Sequence, residues 1–162
     1  MTAGVLKTQG TEVFVLDPSA AQPAILKIVA PTGFSGLGAG TKSQIPTTDL
    51  DSKIDESSVP GLGSPGASSV PFNFVPTAPS HRGILTTLKD QAGLIQFVVG
   101  FSDGDAEPTV GADDVLVAPV QRTSASFWGY INEVTIEAST NALVTGTMSI
   151  QRSGPVTWNF KQ

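Results

Sequence analysis

Glycine or proline recurs so often along this chain that no long helix can persist in it. The sequence holds 17 glycines and 12 prolines in 162 residues, spread along its length. Proline removes an amide donor and clashes with the preceding turn, and glycine weakens a helix interior by about 1 kcal/mol. A helical bundle or coiled coil is therefore excluded, and short strands joined by turns are the architecture left open. Only 14% of the residues are charged while 40% are hydrophobic, and mean hydropathy is +0.11. A disordered acidic tail has the opposite balance. One domain over 1–162, with a core of its own, is expected for this length.

Nine basic and 14 acidic residues give a net charge of −5. No basic patch is available to hold phosphates, so sequence-specific nucleic-acid binding is not expected. Cysteine is absent and His81 is the one histidine, which removes disulfides, thiol nucleophiles and Cys/His zinc sites. A small domain without disulfide staples is expected to fold in an intracellular compartment. Met1–Gly10 has no apolar run of signal-peptide length, and the longest apolar run, Leu94–Phe101, is strand-sized. A membrane span takes about 20 residues, so no membrane segment is expected.

Short apolar runs between turn residues mark the strands. Thr11–Leu16 (TEVFVL) stops at Asp17-Pro18, and Ala24–Ala30 (AILKIVA) stops at Pro31. Gln44–Leu50 reads as a polar edge strand because of Pro46, and Val70–Val75 (VPFNFV) alternates as a half-buried strand does. Leu94–Phe101 (LIQFVVGF) is the expected central strand. Ser126–Ile136 places Trp128, Tyr130, Asn132, Val134 and Ile136 on its apolar face, with Ile131, Glu133, Thr135 and Glu137 opposite. Leu143–Gln151 and Pro155–Phe160, turned at Ser153-Gly154, complete an antiparallel meander. Ser80–Ala92 is the expected helix, capped by Ser80 and closed by Gly93. Residues 32–43, 51–69 and 102–119 read as long loops. The expected class is mainly β, an antiparallel sandwich or barrel of about eight strands flanked by one α-helix.

Each constellation that could carry chemistry lacks a required part. Gly36–Ser43 (GLGAGTKS) approaches a phosphate-binding loop, but Thr41 stands where the last glycine must be, and no helix signal follows. Asp103, Asp105, Glu107 and Asp114 fit a calcium-loop spacing, but Pro108 replaces the glycine that makes its sharp turn. His81 has Ser80 beside it without a nucleophile elbow, and so reads as a capping or packing histidine. Glu133 and Glu137 on one strand face lie about 13 Å apart, outside the roughly 5–10 Å of glycosidase carboxylates. Trp128, Tyr130 and Trp158 could stack on a sugar, but their pattern fits core or interface packing. No enzyme and no cofactor are expected.

Pieces running the length of the chain resemble a family. Lys7–Asp17 (KTQGTEVFVLD) looks like an N-terminal strand entry, and Gln44–Ser52 (QIPTTDLDS) with Val59–Gly66 (VPGLGSPG) like a polar strand and its following loop. Val70–Val75 with Ser80-His81 looks like the strand leading into a single helix. Gly129–Ile136, Thr140-Asn141, Ser149–Gly154 and Thr157-Trp158 look like a C-terminal meander. In order and spacing these resemble the tail tube proteins of long-tailed bacteriophages, in the branch whose subunit is about this size. Ser102–Pro119 has no match in that pattern.

The resemblance implies a β-sandwich flanked by one helix, assembled with copies of itself into hexameric rings. Those rings stack into a virion tail tube through which DNA is ejected without specific binding. It further implies a tape measure protein, a tail terminator and baseplate proteins as partners, and synthesis in the bacterial host cytoplasm. The type VI secretion tube protein shares this architecture and is the alternative within the class. A β-sandwich carbohydrate-binding or adhesion module is the alternative outside it. Under the tube reading, Asp49, Asp51, Glu133 and Glu137 are the lumen candidates, since a negative or neutral wall keeps phosphates from sticking. Gly36, Leu37, Lys42, Ile54, Val59 and Leu62 are the inter-subunit candidates, with the arm 1–10 as a further contact.

Overall fold

The runs punctuated by Gly and Pro fold as strands almost throughout. The computed structural model describes residues 4–19 and 21–162, so the first three residues of the expected N-terminal arm lie outside the described residues. In chain order the elements are β1 (Glu12–Asp17), β2 (Ala24–Lys27), β3 (Thr41–Pro46), β4 (Ser58–Ser64) and β5 (Ala67–Asn73). Helix α1 (Pro79–Thr86) and a 3-10 turn (Leu88–Asp90) follow, then β6 (Ile95–Gly100), β7 (Thr109–Val110), β8 (Leu116–Val117), β9 (Ser124–Glu137) and β10 (Thr145–Asn159). Six strands form one antiparallel sheet in the order β2-β1-β6-β9-β10-β5, while β3-β4 and β7-β8 are separate ribbons. The chain is thus mainly β and antiparallel with one α-helix, as expected, though its described strands number ten and not about eight.

β6 is buried along its whole length, as its apolar run requires, and lies between β1 and β9. Alternation sends Val13 and Val15, Ile95, Phe97 and Val99, Phe127 and Ile131, Met148 and Ile150, and Val70 and Phe72 into one core. Ile84 of α1 and Leu88 of the 3-10 turn join it. The sheet does not stay open. Beyond β2, the Ile28 amide still donates to Val13 O at 2.9 Å, and the chain then turns at Ala30, whose φ is +50°. It next runs along β5, where the Thr32 amide donates to Pro71 O at 2.8 Å and Ser35 and Ser69 exchange bonds of 3.0 and 3.1 Å. One segment therefore bonds to both sides of the sheet and closes it around the core, which covers edges that would otherwise be exposed.

The structure corrects several expectations. The helix spans Pro79–Thr86 and not Ser80–Ala92; Ala78 is its N-cap, and Ser80 lies inside it, buried. Pro79 suits the first turn, where an amide would lack a partner anyway. At the other end the Thr86 and Thr87 hydroxyls donate to Arg82 O and Gly83 O, and the chain tightens into the 3-10 turn. Residues 51–69, expected as a loop, contain β4 and the start of β5, and the polar strand lies at Thr41–Pro46, paired with β4. In place of the two strands expected over Leu143–Gln151 and Pro155–Phe160 there is the single strand β10 (Thr145–Asn159), which bulges between Ser153 and Thr157 without reversing.

Residues 102–119 are a cover. Leu116 of β8 packs with Phe14, Leu16 and Val98 on the outer face of β1 and β6. The buried Gln96 amide holds Leu116 through both main-chain groups, donating to its carbonyl at 3.0 Å and accepting from its N–H at 2.6 Å. The segment left without a match in the sequence resemblance thus shields a second apolar patch.

Candidate functional site

The places where chemistry was weighed are occupied by structural bonds. His81 is buried; its Nδ1 accepts the Val75 amide at 3.0 Å and its Nε2 donates to Val29 O at 2.8 Å. That pattern puts the proton on Nε2, and the ring packs against Phe72 and Phe74. It is a packing histidine, with both nitrogens committed to main chain. In the glycine-rich segment, Thr41 opens β3 and not a helix. Gly36 and Gly40 have φ of +89° and +79°, and a Cβ on either would lie 2.2 Å from Ala67 O or Ser64 O, so they serve a close approach to β5 and the turn before it.

In the acidic segment, the Asp103 carboxylate accepts the Thr123 amide at 3.0 and 3.2 Å. Partial burial pushes this carboxyl up, but hydrogen bonds from Thr123 and the charge of Lys161 outweigh it and hold it below its ordinary 3.8. It ties the cover segment to the entry of β9. Among the described residues no group of three acidic or histidine side chains is placed to hold a metal.

Arg122 is the polar group that sequence reasoning missed. Its side chain is 1% exposed. Nε donates to Phe101 O at 2.6 Å, Nη2 to Gly10 O at 2.7 Å and Gly100 O at 3.0 Å, and Nη1 to Glu12 Oε2 at 2.6 Å. Lys27 pairs with the same carboxylate from the other side. Burial raises Glu12, yet the bonds and charges of Lys27 and Arg122 outweigh it and hold the carboxyl below its ordinary 4.5. The guanidinium therefore ties the N-terminal segment, β1, β6 and the cover together. Nothing in the spacing of the sequence distinguishes Arg122 from a surface arginine.

The lumen candidates fall on two separate elements. Glu133 and Glu137 are exposed on the outer face of β9, opposite Ser149 and Thr145 of β10. Asp49 and Asp51 lie in the loop joining β3 to β4, where Asp49 accepts the Ser52 hydroxyl at 3.0 Å. The expected face of β9 is corrected by a bulge. Glu133 pairs with Ser149 but Ile131 pairs with Ile150, which leaves Asn132 as the extra residue and shifts the alternation. Ile131 consequently faces the core, while Trp128 and Tyr130, expected on the apolar face, point outward at 38% and 44% exposure.

The β9-β10 hairpin has two free edges among the described residues. Gly129 is the last β9 residue paired with β6, so Tyr130–Glu137 has one unpaired side. Gln151 is the last β10 residue paired with β5, so Ser153–Asn159 has one as well. The inter-subunit candidates also separate into two groups. Lys42, Ile54, Val59 and Leu62 belong to the β3-β4 hairpin, in which every residue from Thr41 to Ser64 except Gly61 is exposed. Gly36 and Leu37 line a groove of about 420 Å³ beside the N-terminal segment.

Comparison with known proteins identifies the family and the fold. The family model for the phage tail tube, TTP, lambda-like, matches residues 4–162. Structural protein 3 of Pseudomonas phage PAJU2 is 33% identical over 154 residues, covering 93% of this chain and 91% of that protein. The SPP1 tail tube superposes with a TM-score of 0.61 at 14% identity, covering 97% of this chain and 80% of that one. A chain of the sheath-tube complex of an extracellular contractile injection system, PVC, gives 0.64 at 13% identity, covering 97% and 93%. The two structural likenesses are likenesses of fold.

Proposed function

The chain belongs to the phage tail tube family, TTP, lambda-like, and from that premise we propose that it forms hexameric rings stacked into the conduit for DNA ejection. The family is structural and not enzymatic. The observation that carries the reading is the pair of free edges on the β9-β10 hairpin. In a ring every copy points the same way along the axis, so Tyr130–Glu137 of one copy runs antiparallel to Ser153–Asn159 of its neighbour. Joining them satisfies the unpaired main-chain groups of both. The edges lie at opposite ends of the hairpin, and the resulting stagger is the shear that a closed barrel of tilted strands requires. The contact is heterologous, and its repetition closes a ring.

Glu133, Thr135 and Glu137 with Thr147, Ser149 and Gln151 then form a polar lumen wall. It has acceptors and hydroxyls but no cation, so phosphates slide past without being held. Asp49 and Asp51 join the stacking hairpin on this reading and not the wall. Tape measure protein inside the tube, and terminator and baseplate proteins at its ends, are the partners. The protein is made in the bacterial host cytoplasm and ends in the virion tail. Electron microscopy of purified protein at rising concentration tests this. Hollow tubes of uniform diameter are the expected result; strictly monomeric particles that bind glycans would replace it with the adhesion-module reading.

A further inference from the structure

We infer that the turn at Val120–Thr123 is a buckle coupling the C-terminal segment of the chain to its N-terminal segment. On the tube reading, on which its purpose rests, a neighbour that pairs with β10 thereby readies the N-terminal segment for contact with a further copy. Four consecutive residues hold both segments. Val120 O accepts the Gln162 amide at 3.1 Å, and Thr123 Oγ1 accepts the Lys161 amide at 3.2 Å. Lys161 Nζ donates to Asp103 O at 2.6 Å, and the Asp103 carboxylate accepts the Thr123 amide. On the other side of the turn, Arg122 donates to Gly10 O and to the Glu12 carboxylate. Phe101 lies between, its amide donating to Thr123 O at 2.9 Å and its carbonyl accepting Arg122 Nε. Its ring stacks on Trp158 at 5.9 Å, and Trp158 stacks on Phe160 at 6.4 Å. The same Phe101 lines the groove beside Leu6 and Lys7, and the neighbouring Ser102 hydroxyl donates to Lys7 O.

The two attachments are not independent, because the guanidinium is a rigid planar fork. Its acceptors Gly10 O, Glu12, Gly100 O and Phe101 O are met together by one placement of the Arg122 main chain. The C-terminal segment helps to hold the turn in that placement. The cover leaves little room on another side, since a Cβ on Gly104 would lie 2.6 Å from Gln121 O. Releasing residues 160–162 frees Val120 O and Thr123 Oγ1 and widens the range of the turn. The N-terminal segment then loses order with no change of fold elsewhere, and the reverse holds by linkage. Residues 160–162 directly follow Ser153–Asn159, the β10 edge to which a ring neighbour would pair. Lateral pairing immobilises them and so meets in advance part of the ordering cost of the N-terminal segment. Rings are therefore favoured before stacks.

Amide hydrogen exchange in the monomeric full chain reads the coupling without any assembly. Thr123→Val removes the acceptor of the Lys161 amide. It should speed exchange of the Thr11 amide, which is bonded to Thr8 O, at least about fivefold. Ser102→Ala, on the N-terminal side, should speed exchange of the Gln162 amide by a similar factor. Val98 in β6 should keep its native rate in both, and Thr123→Ser, which retains the hydroxyl, should restore Thr11. Effects confined to each variant's own segment overturn the buckle. If Thr123→Val speeds Val98 as much as Thr11, removal of residues 161–162, which spares the turn, decides. Faster Thr11 exchange in that variant supports the buckle, and an unchanged rate overturns it. Assembly is a separate readout. Thr123→Val should still form rings but need at least about fivefold more protein for tube growth; an unchanged threshold overturns the role in assembly. A native chain that couples its segments but forms no tubes overturns the tube reading instead.

Discussion

At the scale of single residues, Arg122 has the largest consequence. Removing one member of a buried ion pair leaves the other charge uncompensated, at roughly 3–5 kcal/mol. Glu12 is a quarter exposed and keeps Lys27, so the lower end of that range applies to Arg122→Met, measured by urea unfolding at pH 7. The pH dependence follows from the direction of the Glu12 shift. Its carboxyl is held below 4.5 in the folded chain, so it stabilises the fold above that pH, and the contribution is lost as pH falls through the lower folded value. Glu12→Gln should therefore be less stable than the native chain at pH 7, with the two unfolding midpoints converging as pH falls below 4.5. Parallel curves would mean that the carboxylate is not the group involved. None of this was legible beforehand. An arginine is assigned to the surface by residue type, and only the folding of the cover segment around Gly10, Glu12 and Phe101 makes it a buried group.

At the scale of elements, legibility depended on whether a segment's structure was fixed by its own residues. LIQFVVGF could only be a buried strand, and β6 is one. SVPGLGS contains a proline and two glycines and has poor strand propensity, yet it forms β4 because β3 pairs with it. The face of β9 was misjudged for a related reason. Alternation assumes an unbroken pleat, and the extra residue at Asn132 is decided by the register against β10. The β3-β4 hairpin, which packs on nothing in its own chain, is the element whose removal should separate folding from assembly. Replacing residues 47–57 by a two-residue Asn-Gly turn shortens it without touching the core. The thermal midpoint should stay within about 2 °C of the native value, while tube formation by light scattering is abolished. A large drop in the midpoint would show that the hairpin supports the fold instead.

At the scale of the whole molecule, the low charge and the abundance of glycine and proline meet in one account. A chain with 14% charged residues is poorly suited to remaining alone in water, but interface cores are depleted in charge. The exposed apolar groups include those of the β3-β4 hairpin, Trp158 and Phe160, Leu143, and Trp128 and Tyr130 of β9, but the outer face carrying Glu133, Thr135 and Glu137 with their β10 partners is polar. That face is the surface left over once lateral and axial contacts are made, and its charge is a separate variable from assembly. Glu133 and Glu137 are exposed and make no ion pair among the described residues. Converting both to lysine should therefore leave folding and tube formation intact while changing the sign of the wall. A cationic wall attracts phosphates strongly and in a salt-dependent way. Genome ejection from virions carrying the double variant should slow, and raising the salt concentration should restore part of the rate by screening. Intact tubes with unchanged ejection at low salt would move both glutamates to the outside of the tube and leave the lumen to another face.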